Sequence, residues 1–225
     1  MALAVFKDLV IDVSDADRMS DFWAAALGLG VHRYDTEDIV LRGPTPHHAV
    51  WINAVPEERT VKQRVHLDVH AESVAEYEAM GAAVLPEYAG LPWTVMGDPE
   101  GGELCVFVRD EVPSYRLYEV IVDCVDPVRL ATWWGDVLGA RTGEQDDFAY
   151  LDEIPGAPFE SLVFTPVPEP KTVKNRIHWD VTVESADALE DLKGDGASVL
   201  RDRDPAIGWT VMADPEGNEF CVFTD

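Results

Sequence analysis

The chain has 225 residues, enough for one large domain or two small ones, and its 47% hydrophobic content with seven Trp supports a packed core. Acidic residues outnumber basic ones 43 to 17, giving a net charge of −26; such a surface repels nucleic acid and anionic lipid, whose recognition needs clustered Lys and Arg. No apolar run approaches the roughly 18 residues of a membrane span, the opening MALAVFKDLV meets charge too soon for a secretory leader, and three cysteines without CxxC spacing fit reduced thiols in a cytoplasmic setting.

From the N-terminus, Asp8 to Val13 alternates, with Leu9, Ile11 and Val13 on one face and Asp8, Val10 and Asp12 on the other, the pattern of a half-buried strand. Asp15 is placed to cap a helix over Asp17 to Leu27, in which Met19, Phe22, Trp23, Ala26 and Leu27 fall near helical spacing, and Gly28 stands where a C-cap is expected. Three short strands are predicted around Val31 to Tyr34, Ile39 to Arg42 and Ala49 to Val55. The pattern then restarts, with a strand over Arg64 to Val69 and a helix over Ser73 to Met80. Further strands begin at Gly81 and end in ELCVFV, Glu103 to Val108.

The second half repeats the first. TVKQRVHLDV (Thr60 to Val69) returns as TVKNRIHWDV (Thr172 to Val181). WTVMGDPEGGELCVFV (Trp93 to Val108) returns as WTVMADPEGNEFCVFT (Trp209 to Thr224). IDVSDADRMSDFWAAALG (Ile11 to Gly28) matches VDCVDPVRLATWWGDVLG (Val122 to Gly139). A period near 112 residues exceeds any solenoid repeat and suits a duplicated small domain. The expected division is residues 1–110 and 117–225, joined by a polar, Pro-containing linker at 111–116. Each half then holds two strand–helix–three-strand units.

That order of elements, with D…FW…LG after the first strand and DPEGNEF before the last, resembles the vicinal oxygen chelate superfamily of glyoxalases, extradiol dioxygenases and bleomycin-resistance proteins, and within it the glyoxalase-like domains common in actinobacteria. The resemblance implies an α+β fold of two tandem glyoxalase-like domains. In each, two βαβββ units of the same half pair into a curled sheet cup, with helices on the outer face. The polar rows Asp8/Asp12, Arg64/His66/Asp68 and Glu103/Cys105, and their repeats Glu119/Asp123, Arg176/His178/Asp180 and Glu219/Cys221, are then expected to face the hollow.

Metal-dependent members of that superfamily carry a His, Gln or Glu at the outset of each unit's first strand and a Glu in the last. The resemblance carries those seats to Asp8, Arg64 and Cys105 in one half and to Glu119, Arg176 and Cys221 in the other. An arginine cannot ligate a cation, because it is always protonated and offers no acceptor. The expected site therefore has no metal at the usual place, and no cofactor is firmly implied. A divalent ion at a deeper layer of His66, Asp68, Asp12 and Glu103 is the rival. A third reading makes that layer a polar stitch, with Asp12 and Asp68 hydrogen-bonding Arg64 and His66.

Trp23 and Trp134 read as core, DPEG and DPEGN as turns. Trp51 is expected to line the first cup, and Trp93 and Trp209 to lie in the core or on a rim. Cys105 and Cys221 lack a basic neighbour in sequence and are not read as nucleophiles. The ligand-binding candidates are Asp12, Trp51, Arg64, His66, Trp93, Glu103, Cys105, Asp123, Arg176, His178, Glu219 and Cys221. The expected function is binding of a small molecule, with aromatic walls and acidic charge suited to a flat or cationic ligand. The alternative is a lyase, isomerase or dioxygenase-type enzyme using a divalent metal or His66 with Asp68 in acid–base catalysis. Small relatives dimerise to complete their cups, so covalent fusion implies a monomer or a homodimer.

Overall fold

The structure is a computed structural model and describes residues 2–35 and 38–224. The first unit comprises β1 (Val5–Val13), α1 (Ala16–Leu27), β2 (Gly30–Arg33), β3 (Ile39–Arg42) and β4 (Ala49–Ala54). The second comprises β5 (Val65–Ala71), α2 (Val74–Ala79), β6 (Ala83–Val84), β7 (Thr94–Gly97) and β8 (Glu103–Val108). The third comprises β9 (Leu117–Cys124), α3 (Pro127–Leu138), β10 (Arg141–Gln145), β11 (Phe148–Asp152) and β12 (Ser161–Pro166). The fourth comprises β13 (Ile177–Val183), α4 (Ala186–Gly194), β14 (Ser198–Arg201), β15 (Thr210–Ala213) and β16 (Glu219–Thr224). Among the described residues no helix is long and apolar enough to cross a membrane.

The helix ends form where the sequence places them. Asp15 and Asp126 adopt non-helical backbone and accept from the N–H groups of Arg18 and Arg129, each at 3.1 Å. Gly28 closes α1 at φ 69°, and a Cβ there would lie 2.0 Å from the Ser114 carbonyl oxygen, so both conformation and space require glycine. The DPEG turns also reach across the molecule. Both carboxylate oxygens of Glu100 accept from the N–H of Ser14 at 2.9 Å, and one accepts from Asp15 at 2.7 Å. Glu216 accepts likewise from Val125 and Asp126. Each glutamate thus fills orphan donors at the start of a helix in another unit.

Two eight-stranded mixed sheets result, each made of two βαβββ units, as the α+β expectation has it. The partners differ from that expectation. One sheet runs β14-β15-β16-β13-β1-β4-β3-β2 and joins the fourth unit to the first. The other runs β10-β11-β12-β9-β5-β8-β7-β6 and joins the third to the second. The seams are antiparallel: β1 meets β13, with Val10 opposite His178, and β5 meets β9, with Asp68 opposite Glu119. Both cups therefore draw on both halves of the sequence. The physical reason is that equivalent units present the same apolar and polar rows, so pairing within a half or across halves buries the same surface.

The segment expected as a linker is docked. Tyr115 is buried, Arg116 pairs with Glu76 at 3.0 Å, and the Arg116 backbone bonds both Leu27 and His70. It carries the chain from one side of β5 to the other within one sheet. The apolar rows face the helices as predicted, apart from Val108 at a strand end, which is exposed. Trp23 and Trp134 are fully buried, and the Trp134 indole donates to Asp214 at 3.1 Å.

Candidate functional site

The sheet of the second and third units curls around a cavity of about 560 Å³. One wall comes from β7 and β8, where Trp93 stacks on Phe107 with centroids 5.4 Å apart and planes 25° off parallel. The opposite wall comes from β11, where Phe148 and Tyr150 stand two residues apart and 6.3 Å between centroids. Alternation puts His66 and Asp68 of β5, Glu103 and Cys105 of β8, and Glu119 and Ile121 of β9 against the cavity.

Tyr118 and Glu119 are adjacent yet both line the cavity. The β5–β9 register skips between Asp68 opposite Glu119 and Val69 opposite Leu117, leaving Tyr118 as an extra residue. A bulge of this kind re-aims a side chain that strict alternation would turn away. Tyr118 meets Phe107 edge-on at 5.4 Å, and the Arg109 guanidinium lies over both rings.

The floor is polar, and burial disfavours charge on its central trio of His66, Asp68 and Cys105. Burial, opposed by the charge of Asp123 and aided by that of Lys62, lowers the His66 pKa to about 4. Burial raises Asp68 well above the usual carboxylate range, the Glu119 charge adds to this, and a hydrogen bond from Cys105 offsets part of it. Burial, with Asp68 beside it, pushes the Cys105 thiol far up, so it is no thiolate at neutral pH. Glu119 is raised by burial and by repulsion from Glu160. Lys62 is tied to Asp123 at 2.8 Å, and Asp123 also accepts from Thr165 at 2.9 Å.

His66, Asp68 and Cys105 bring one ligand atom each within 4.8 Å of one another. His66 Nε2 lies 3.6 Å from Asp68 Oδ1, while His66 Nδ1 and Asp68 Oδ1 are buried without a hydrogen-bond partner. Nitrogen, oxygen and sulfur donors in this arrangement fit a borderline-soft divalent ion such as Zn²⁺.

The other sheet repeats the trio as His178, Asp180 and Cys221, all buried. Its surroundings differ. Lys7 holds the bulge position that Tyr118 holds in the second sheet; it pairs with Asp8, and its ammonium lies 4.4 Å over the Phe223 ring. Lys171 pairs with Glu219 at 2.6 Å and Lys174 with Asp12. The last two pairs have repeat equivalents in the second sheet, Arg59 with Glu103 and Lys62 with Asp123, and Trp209 stacks on Phe223 as Trp93 does on Phe107, so the difference is Lys7 in the place of Tyr118.

A model of the glyoxalase-like domain matches residues 8–107 and again 119–223. The chain belongs to the glyoxalase-like family. Each match spans one sequence repeat, and each repeat supplies one unit to each sheet. Among solved structures, glyoxalase I from Zea mays aligns with TM-score 0.68 at 17% identity over 97% of this chain and 92% of its own. A putative dioxygenase from Bacillus subtilis aligns with TM-score 0.62 at 15% identity, over 98% and 85%. The cppA protein of Streptococcus pneumoniae gives 0.52 at 11% identity, over 99% and 98%. These likenesses speak to the fold. No curated protein matches the chain.

Of the expected site residues, His66, Asp68, Trp93, Glu103 and Cys105 come together in the aromatic cup, with Asp123 beside Lys62. Trp51, His178, Glu219, Cys221 and Asp12 belong to the other sheet, where Trp51 donates to Asp8 at 3.3 Å. Asp12 therefore joins neither His66 nor Asp68 in one ligand set. The expected stitch from Asp12 to Arg64 is also absent, because Lys174 takes that carboxylate. Arg64 and Arg176 face neither cup but a third cavity between the sheets.

α2 is capped at Ser73, and His66 stands as far ahead of Ser73 as Asp8 stands ahead of Asp15. Measured from its helix, His66 holds in the second unit the place that Asp8 holds in the first, and Arg64 precedes the strand altogether. Tyr88, Tyr118, Phe148 and Tyr150 were not singled out from sequence. Alternate aromatics within FAY, in the stretch where the halves diverge, were the available signal for the β11 wall; the bulge that turns Tyr118 inward had none.

Proposed function

We propose that this protein binds a small, flat, largely apolar molecule in the cup between its second and third units, with a cationic or hydrogen-bond-donating group of that molecule directed to Glu119 and Glu103. The observation that carries this reading is the cavity of about 560 Å³ with Trp93 and Phe107 on one wall, Phe148 and Tyr150 on the other and carboxyl groups at its base. Ring faces attract planar and cationic groups alike, and a few convergent polar groups fix orientation. The repulsion that raises Glu119 would be relieved by a positive group. The test is calorimetry with a panel of planar amines on the wild type and on Trp93→Ala. A ligand whose affinity falls about 10- to 100-fold in the variant supports the reading, in line with a lost aromatic contact. A panel without a hit, or affinity unchanged in Trp93→Ala, defeats it.

A second reading has its own support in the buried, unpartnered His66 Nδ1 and Asp68 Oδ1 beside Cys105. These three residues would hold a divalent ion, and such an ion supplies Lewis-acid polarisation of a substrate oxygen. In that case His66 and Asp68 serve as ligands, and the aromatic walls position the substrate and exclude water. Elemental analysis of protein purified without chelator separates the two. Stoichiometric metal that disappears in His66→Ala establishes the second reading, and metal-free protein that still binds a planar amine establishes the first.

A further inference from the structure

The duplicated string TVKQRVHLDV / TVKNRIHWDV begins on the two connectors that pass between the sheets, residues 55–64 and 167–176, and runs on into β5 and β13. The connectors clasp each other reciprocally. Arg64 Nη1 donates to the carbonyl of Glu169 at 2.7 Å, and Arg176 Nη2 donates to the carbonyl of Glu57. Arg64 and Arg176 are equivalent positions of the repeat, as are Glu57 and Glu169. Between the connectors is a cavity of about 300 Å³.

Five of the chain's 17 basic residues line this cavity: Arg59, Lys62, Arg64, Lys174 and Arg176. Three of them have carboxylate partners. Lys62 pairs with Asp123 at 2.8 Å, Lys174 with Asp12, and Arg59 with Glu103 at 3.6 Å. Arg64 and Arg176 have none: among the described residues no carboxylate lies within 4.0 Å of either guanidinium. Arg64 Nε and Arg176 Nη1 are moreover buried without a hydrogen-bond partner. Three acids, Asp12, Glu57 and Glu58, share the lining, and none forms an ion pair with either guanidinium. Two guanidinium groups without a carboxylate partner thus stand on one cavity in a chain of net charge −26. Partly buried like charges repel, and unmade hydrogen bonds at buried donors cost free energy. An anion with two or more acceptor oxygens, in reach of the donors that face the cavity, offsets the charge cost, and the planar fork of arginine suits it.

We propose that this inter-sheet cavity is a binding site for a small oxyanion, of the phosphate or carboxylate class, held by Arg64 and Arg176 from the two halves of the chain. The site is separate from the aromatic cup and does not depend on what that cup binds. Occupancy would bridge the two connectors and so tie one sheet to the other.

The test uses the full chain with inorganic phosphate and, in a parallel arm, malonate, each against chloride at equal ionic strength. The expected result is saturable stabilisation in thermal unfolding, with matching heats in calorimetry, and affinity about tenfold or more weaker in Arg64→Gln and in Arg176→Gln. The tighter of the two anions identifies the class. Because both arginines also clasp the connectors, a second measurement uses the wild type alone: crystals soaked in selenate should show an anomalous peak within hydrogen-bond reach of both guanidinium groups. If phosphate and malonate act no differently from chloride, or no anomalous peak lies in the cavity, the proposal is overturned.

Discussion

Replacing Asp180 by Asn should stabilise the protein at neutral pH, although it alters a buried polar trio. Asp180 is 4% exposed, and burial raises its pKa from 3.8 to about 7; Asp8 adds to the rise, while Lys7 and the Cys221 thiol oppose it. A carboxyl whose folded-state pKa is raised contributes its stability below the unfolded value. That contribution is lost as pH climbs from 3.8 toward 7, because the unfolded chain ionises and the folded one does not. Roughly three pH units at about 1.4 kcal/mol each give about 4 kcal/mol. Asparagine keeps the shape of the neutral acid and has nothing to ionise. His178, lowered to about 4, titrates at the foot of this window in both proteins alike and cancels in the difference. Urea denaturation in metal-free buffer should therefore find the two proteins within about 1 kcal/mol of each other at pH 4.5. At pH 8 Asp180→Asn should lead by about 4 kcal/mol. A difference that does not move with pH, or a wild type that is the more stable at pH 8, would show Asp180 ionised in the fold with Lys7 as its controlling partner.

Other consequences follow from the same geometry. Trp134→Ala should cost about 3–5 kcal/mol in denaturant unfolding, as a fully buried indole that also satisfies Asp214 is removed. Glu216→Ala should cost roughly 1–2 kcal/mol, since two backbone donors at the start of α3 lose a charged acceptor; hydrogen exchange should report faster opening of the N–H groups of Val125 and Asp126. His66 should keep neutral imidazole NMR shifts from pH 8 down to about 5, because burial dominates its titration, and a transition near 6.5 would contradict a dry floor.

The sequence by itself determined the elements and which way they face. Period-2 alternation marked β1, β5, β8 and their repeats, the Asp and Gly caps bounded α1 and α3, and near-identical strings revealed a duplicated four-unit chain. These are local properties, written in adjacent residues, and they placed His66, Asp68, Glu103 and Cys105 on the concave face. Three things only the tertiary structure decided. Units pair across the halves, a choice that equivalent edges leave degenerate in sequence. A bulge turns Tyr118 into one cup and Lys7 into the other, which a two-residue period cannot foresee. And Arg64, two residues from His66 and on the same nominal face, leaves the cup because the strand begins one residue later and the connector turns it toward the other half of the chain. Alternation assigns faces only where a strand exists, and where each strand begins and which neighbour it meets are set by contacts far apart in the chain.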